Sequence, residues 1–383
     1  MTTFGILCLV CLLATAILSL SLPPVRTVPR TGHDYFHFRN RSPISKFWRR
    51  KKVYFEGWYH RIDDHALIVS FEKFREGGRV CVQVLSDDLF IVQATREISG
   101  FTAGYCGTHS FTFPDGSFFN VTENCIHCIL KSPISGVPPS LDIDATDNPV
   151  VDPFHLNVSF ERTAGWGESE KKTTEGWLIS RLPVADPHWQ VTTSDGTVRG
   201  EICGRELSDA RYYCEKNWGK KFPKHWWWMQ CNNFENLEGN LSMTAVAGMR
   251  EIYGRDKLVG GIGLRYMGKF YKFFPDTSKM IEWDVKWGSW VVRSKTKEFE
   301  IFVEANCDNS GTVIMVPSKI GMVKNCRDSF SGRMRLRMWR ISDGELILDA
   351  ESRKAAVEVG GDNGGEWMYH PVDNKLSARV DFE

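Results

Sequence analysis

A surplus of charge of either sign is missing from this sequence. Its 383 residues carry 48 Lys and Arg against 47 Asp and Glu, a formal net charge of +1. Proteins that grip nucleic acid neutralise phosphates with a basic excess or stripe, so the balance argues against that class. Closely paired cysteines are also scarce. Two of the 11 Cys, Cys8 and Cys11, lie in an N-terminal apolar run, and the other nine are scattered. Cys125-Ile-His127-Cys128 is the one close pair, and zinc or redox use needs a second pair or a βαβ context. No P-loop, dinucleotide fingerprint, G-x-S-x-G elbow or H-E-x-x-H site is present. No metal or other cofactor is therefore expected. Beyond Phe4 to Leu22, no run approaches the ~20 apolar residues of a membrane span, which excludes a polytopic membrane protein.

What the chain has in quantity is aromatic side chains: 24 Phe, 14 Trp and 10 Tyr, or 13%. Rings in that number without net charge point to a greasy pocket more than to a polar site. Phe4 to Leu22 is uncharged and closed by Pro23-Pro24, which reads as a secretory-type signal peptide or a membrane anchor. Asn40, Asn120, Asn157 and Asn240 stand in N-x-S/T sequons, which matter only in a chain that crosses the endoplasmic reticulum.

From Lys52 onward, short segments alternate apolar and polar residues, and no amphipathic helix exceeds about three turns. Val53 to Ile62, Ala66 to Phe74, Arg79 to Leu85, Gly176 to Leu182 and Trp226 to Phe234 are examples. Leu241 to Met249, Met280 to Val285, Ser289 to Ser294 and Glu298 to Glu304 continue the pattern. Met334 to Arg340 alternates apolar and basic, as a strand with one wet face does. Many strands without intervening helices predict an all-β protein of sandwiches or barrels. Residues 132–153 and 161–175 read as a long loop excursion. An aromatic strand opens each half, at Tyr54 to Tyr59 and at Trp226 to Gln230, which suits two antiparallel barrels in tandem with few short helices. The expected organisation is a signal or anchor over 1–22, a linker over 23–50, a first barrel over 51–198 and a second over 199–383.

Three clusters mix polar groups with Trp: Tyr54 to Tyr59, Asp186 to Gln190, and Tyr212 to Gly219 running on through Trp226 to Asn232. A fourth, Cys326 to Ser329, has none. Residues i and i+2 of a strand share a face, so Tyr213, Glu215 and Asn217 belong together, as do Trp226, Trp228 and Gln230. A carboxyl enclosed by indoles loses water, which raises its pKa and makes it a proton donor near neutral pH. Ring faces stabilise a developing cation. Glu215 with Tyr213 and the Trp set therefore forms a site able to protonate an alkene. The plainer alternatives are buried ion pairs for Glu56 and Glu215, core packing for the Trp residues and His188, and a structural turn at Asp328.

The same clusters carry a family resemblance. F-E-G-W-Y at 55–59, P-H-W-Q at 187–190, E-K-N-W-G at 215–219, F-P at 222–223, W-x-Q-C-N at 228–232 and C-R-D-S at 326–329 resemble the tocopherol cyclase family. Pro29 to Gly32 with Tyr35 to Phe38, and Ala355 to Gly361 followed by Trp367, extend the likeness along nearly the whole chain. The resemblance implies cyclisation of a prenylated benzoquinol to a chromanol without a redox cofactor. Tyr213 to Gly219 is also similar to the corresponding segment of carotenoid hydratases, which implies a pair of lipocalin-like barrels. On that resemblance Glu215 is the proton donor, Tyr213 its positioner and His188 a candidate base or quinol-hydroxyl partner. The motifs nominate Glu56, Trp58, Trp189, Asn217, Trp218, Trp228, Gln230, Asn232 and Asp328 for substrate binding. The implied partner is a hydrophobic prenylated benzoquinol, with peripheral membrane or lipid-body association. Lys220-Lys221 and His60 depart from the family pattern beside its motifs. The implied location is a plastid reached through a secretory-type leader, with the secretory pathway as the alternative. Rival readings are another isoprenoid-alkene hydratase or cyclase, and a prenylquinone carrier without chemistry.

Overall fold

A computed structural model describes residues 54–74, 77–103, 107–136, 149–167, 174–175, 185–235, 237–278, 280–308, 310–318, 321–361 and 367–370. The apolar leader, the Pro29 to Phe38 motif and the segment Gly176 to Leu182 lie outside the described residues. Among the described residues every regular element is a strand, and no helix is long and apolar enough to cross a membrane. The all-β class expected from the alternation is what the structure shows.

The strands form two 12-stranded sheets in which all pairings are antiparallel. At the centre of the first, Tyr54–Ile62 pairs on one side with His65–Phe74 and on the other with Arg205–Gly219. Arg205–Gly219 in turn pairs with His188–Ile202. At the centre of the second, His225–Cys231 lies between Leu241–Ile252 and Leu346–Gly361, and the latter pairs with Gly321–Arg340. No pairing between the end strands closes either path among the described residues. Ala185–Asp186 pairs with Leu241–Ile252 of the second sheet before the chain returns to the first, which it leaves again between Gly219 and His225; residues 198 and 199, where the sequence reading places the domain join, lie inside a strand. Ile134–Ser135 and the end of Phe154–Ala164, residues 161–164, are strand within stretches read as loop. Several hairpins close tightly: Cys203-Gly204, Tyr253-Gly254 and Met267-Gly268 all have positive φ, the signature of two-residue type I′ turns.

Alternation divides the apolar residues into three cores. Tyr54, Trp58 and Ile62 point into a cluster belonging to the first sheet, with Val80, Val82 and Phe119. Trp227, Met229 and Cys231 point into one belonging to the second, with Trp283 and Trp290. The residues between them in sequence, Tyr59 on one strand and Trp226 and Trp228 on the other, meet in a third cluster that joins the sheets. Polar groups seal the same junction. The Gln83 amide satisfies both backbone groups of Met315 at 3.0 Å. Arg61 donates to the carbonyl oxygens of Gln230 (3.1 Å) and Lys354 (2.6 Å). Trp166, just past Phe154–Ala164, packs edge-on against Trp189 of the first sheet and Phe270 of the second.

Close ring-to-backbone approach explains two glycines. A Cβ at Gly360 collides with the Trp226 indole, and one at Gly263 with Trp166. Gly360→Ala should cost about 1–3 kcal/mol, the usual penalty for overpacking a filled core. A denaturant midpoint lowered without change of slope is the result that checks it.

Candidate active site

The third core is incompletely filled. Between the sheets lies a cavity of about 380 Å³, lined by residues of both. Its volume falls in the range of small-molecule pockets, and its walls are mostly apolar: Phe55, Ile68, Phe222, Val246, Phe274 and Met322 among them. It reaches the surface near Pro275 and Asp276, which are exposed.

Glu215 supplies the central polar group. From Tyr212 to Trp218 the odd positions face the junction and the even ones face the first sheet's own side, so Tyr213, Glu215 and Asn217 share a side, as the sequence predicts. Glu215 lies opposite Tyr59 on one neighbouring strand and Val191 on the other. Its Oε2 accepts hydrogen bonds from Tyr213 Oη (2.6 Å) and Trp189 Nε1 (2.8 Å), and its Oε1 accepts one from Asn217 Nδ2 (2.9 Å). Burial pushes the carboxyl above the ordinary glutamate value, and these donors pull it only part of the way back. The result is an acid with opposing biases. Desolvation favours the protonated form, while three preset donors wait for the carboxylate left after proton transfer.

Aromatic walls surround it. Trp228 packs edge-on to Tyr59 at 5.5 Å and against Tyr213 at 5.9 Å. The Tyr59 hydroxyl is buried and finds no hydrogen-bond partner among the described residues, and the buried Trp228 indole N–H lies beside Glu215 and Tyr213. Both residues line the cavity. A buried unpaired donor at a cavity wall is a group that a ligand oxygen satisfies.

A second polar group lines the wall further along. Glu175 Oε1 takes Arg250 Nη2 (2.5 Å) and the Trp189 backbone N–H (3.2 Å), and its Oε2 takes His188 Nδ1 (2.9 Å). Burial works against the Glu175 charge, but Arg250 and His188 overcome it and hold the carboxyl below its ordinary value. His188 itself stacks on Trp218 at 5.2 Å and does not line the cavity. It reaches the site through Glu175.

The other sequence candidates separate cleanly. Trp58, Trp189, Asn217 and Trp228 line the cavity with Glu215, and Tyr213 stands directly behind that carboxyl. Glu56 faces the opposite side of the sheet, 3.4 Å from Lys216 Nζ, which lies over the Trp58 ring at 4.8 Å. Gln230 accepts from Arg61, and Asn232 ties Asp195 Oδ1 (3.2 Å) to the Tyr212 carbonyl (3.0 Å). Trp218 is His188's stacking partner, and Asp328 is buried beside Glu358 without lining the cavity. Sequence reasoning missed Tyr59, Glu175, Arg250 and Glu358 as cavity residues. Parity along Tyr54–Ile62 groups Tyr59 with Phe55 and Gly57, which also line the cavity. No local signal marks Glu175 or Arg250.

Cys326 Sγ and the carboxyls of Asp328 and Glu358 have ligand atoms within 4.8 Å of one another. Burial pushes the Cys326 thiol and the Asp328 carboxyl well above their ordinary values. A thiol and an acid held protonated suit proton sharing better than cation binding, because metal ligands must be deprotonated.

Two consequences can be measured. Trp189→Phe keeps a ring but removes a donor to the Glu215 carboxylate, so the acid form should persist to higher pH than in the parent. Infrared titration of the protonated-carboxyl band reads that shift. Glu56→Gln breaks a buried ion pair and should cost about 3–5 kcal/mol in urea unfolding.

The "Tocopherol cyclase-like" family model matches residues 143–361. A "Probable tocopherol cyclase, chloroplastic" of Oryza sativa subsp. japonica is 39% identical, covering 92% of this chain and 84% of that one. The "Tocopherol cyclase, chloroplastic" of Zea mays is 31% identical over the same shares. Among solved structures, a putative AttH from Nitrosomonas europaea aligns with a TM-score of 0.40 at 13% identity, covering 82% of this chain and 93% of that one. Kievitone hydratase from Nectria haematococca aligns with a TM-score of 0.43 at 9% identity, covering 82% and 89%. With a family model matching more than half its length, and relatives aligned over nine-tenths of it, the chain belongs to the tocopherol cyclase-like family.

Proposed function

We propose that this protein is a tocopherol cyclase, which closes a prenylated benzoquinol to a chromanol by protonating the prenyl alkene. The observation that carries the reading is the Glu215 carboxyl, biased by burial toward its protonated form and facing a mostly apolar cavity with indole and phenol walls. The Glu215 O–H bond breaks as a C–H bond forms at the less substituted alkene carbon. The tertiary carbon is left as a cation. The phenolic oxygen then bonds to that carbon and loses its proton, so substrate and product are isomers and no redox partner takes part. Ring faces of Trp228, Trp189 and Tyr59 offer the cation their quadrupoles. Tyr213, Trp189 and Asn217 hold the conjugate base and fix its direction. The Tyr59 hydroxyl and Trp228 N–H are placed to meet quinol oxygens, and the apolar walls take the tail.

His188 acts in this scheme as a positioning residue, setting Glu175 and through it Arg250 and the Trp189 backbone. The chloroplastic names of the relatives support a plastid location, reached here through the apolar leader. Affinity for a membrane or lipid body accords with a substrate delivered from lipid.

Incubation with reduced 2-methyl-6-phytyl-1,4-benzoquinol in D2O should yield chromanol carrying one deuterium at the carbon protonated by the enzyme. Glu215→Gln should lower kcat by about 10²–10⁴-fold, the usual contribution of a general acid. Absence of chromanol from folded parent protein defeats the reading, and full activity in Glu215→Gln reassigns the acid.

A further inference from the structure

The scheme leaves the phenolic proton without an acceptor, and the cavity contains a second carboxyl suited to take it. Glu358 lies on Leu346–Gly361 of the second sheet and lines the same cavity as Glu215, which comes from the first. It sits in register with Asp328 on the adjacent strand. We propose that Glu358, backed by Asp328, is the base that accepts the phenolic proton as the chromanol ring closes. This inference rests on the cyclase reading.

A neutral phenol that attacks a cation becomes a protonated ether, a strong acid with no bulk water beside it. An acceptor within the cavity lowers the barrier by taking the proton as the C–O bond forms. The carboxylates available are few. Glu175 is engaged by Arg250, His188 and the Trp189 backbone, which stabilise its charge and weaken it as a base. Glu215, once it has donated, is held by three hydrogen-bond donors and is weakened in the same way. Glu358 is differently placed. Trp226 Nε1 donates to its Oε1, and this anchors the carboxyl to the cavity-lining Trp226.

Asp328 explains how Glu358 can accept a proton in so dry a place. Asp328 is 2% exposed, and its Oδ2 has no hydrogen-bond partner among the described residues. Two adjacent buried carboxyls cannot both ionise, so one proton stays with the pair. Burial and the neighbouring Glu358 charge push Asp328 well up, while Glu358 is raised against donors that stabilise its charge, Trp226 and Asp328. The shared proton therefore favours Asp328, which leaves Glu358 the better acceptor of the two. On ring closure the phenolic O–H breaks, its electrons stay on the ether oxygen, and the proton passes to Glu358. Exchange with water through the cavity mouth discharges Glu358 and recharges Glu215, so the cycle balances.

Two substrates separate this base from the acid. The first is the free quinol, and the second has its ring-closing hydroxyl methylated, so that the alkene can still exchange deuterium from D2O but cannot lose a phenolic proton. Glu358→Gln should lower kcat for chromanol by about 10²-fold or more while keeping deuterium uptake into the methyl ether. Glu358→Asp should restore part of the turnover, and Glu215→Gln should lose both reactions. Retained uptake also shows that Glu358→Gln is folded with its acid intact. Chromanol formation at the parent rate in Glu358→Gln overturns the proposal, as does loss of uptake together with closure. Parent protein that makes no chromanol defeats the cyclase reading itself, a result distinct from either.

Discussion

Removal of water from a carboxyl at the junction of two sheets is the constraint on which the rest of this molecule depends. A glutamate in water is an anion at neutral pH and a poor acid. Glu215 is 7% exposed, and the cost of burying its charge is what turns it into a donor. That burial needs a second wall, because one face of an isolated sheet is wet. Trp226, Trp228 and Phe222, from beyond the change of sheet, supply it. The hydrogen bonds crossing the junction, from Gln83, Arg61 and Arg211, fix the separation of the sheets and so the depth of the cavity.

Strand parity performs the sorting. On Arg205–Gly219 the even residues Tyr212, Cys214, Lys216 and Trp218 turn to one side and Tyr213, Glu215 and Asn217 to the other. Neighbouring glutamate-plus-tryptophan clusters thus have different fates. Glu56 and Lys216 neutralise each other inside the first sheet, while Glu215 faces the cavity with donors but no cation within salt-bridge distance among the described residues. The same rule places Trp227 in the second core and its neighbours Trp226 and Trp228 in the wall.

This sorting sets what was legible in the sequence. A period of two residues is local, so the strands, the shared face of Tyr213, Glu215 and Asn217, and the shared face of Trp226, Trp228 and Gln230 were all readable. Which face meets another sheet is a matter of long-range packing that parity leaves open. Gln230 and Trp228 share a face, yet Arg61 from the first sheet captures one while the other lines the cavity. Glu56 and Glu215 have equally aromatic neighbours in sequence, and only the three-dimensional pairing with Lys216 tells them apart. Glu175 lay in a stretch read as polar loop, where no periodicity points a side chain anywhere. Glu358 stood in a recognised motif, but its significance depends on Asp328 beside it and Glu215 across the cavity, both remote in sequence.

Drawing the two carboxyls from different sheets has a physical advantage over placing them side by side. Adjacent acids share protons, as Asp328 and Glu358 do, and a pair of that kind cannot give and take a proton independently. Each sheet instead contributes one carboxyl with its own set of donors: Tyr213, Trp189 and Asn217 for Glu215, Trp226 and Asp328 for Glu358. Their proton affinities are therefore set largely by different neighbours, although the Glu215 charge raises the cost of ionising Glu358. The substrate between them meets a proton source from one sheet and a proton acceptor from the other. The acceptor side of that arrangement favours departure of the phenolic proton during ring closure, and it is in place before the substrate arrives.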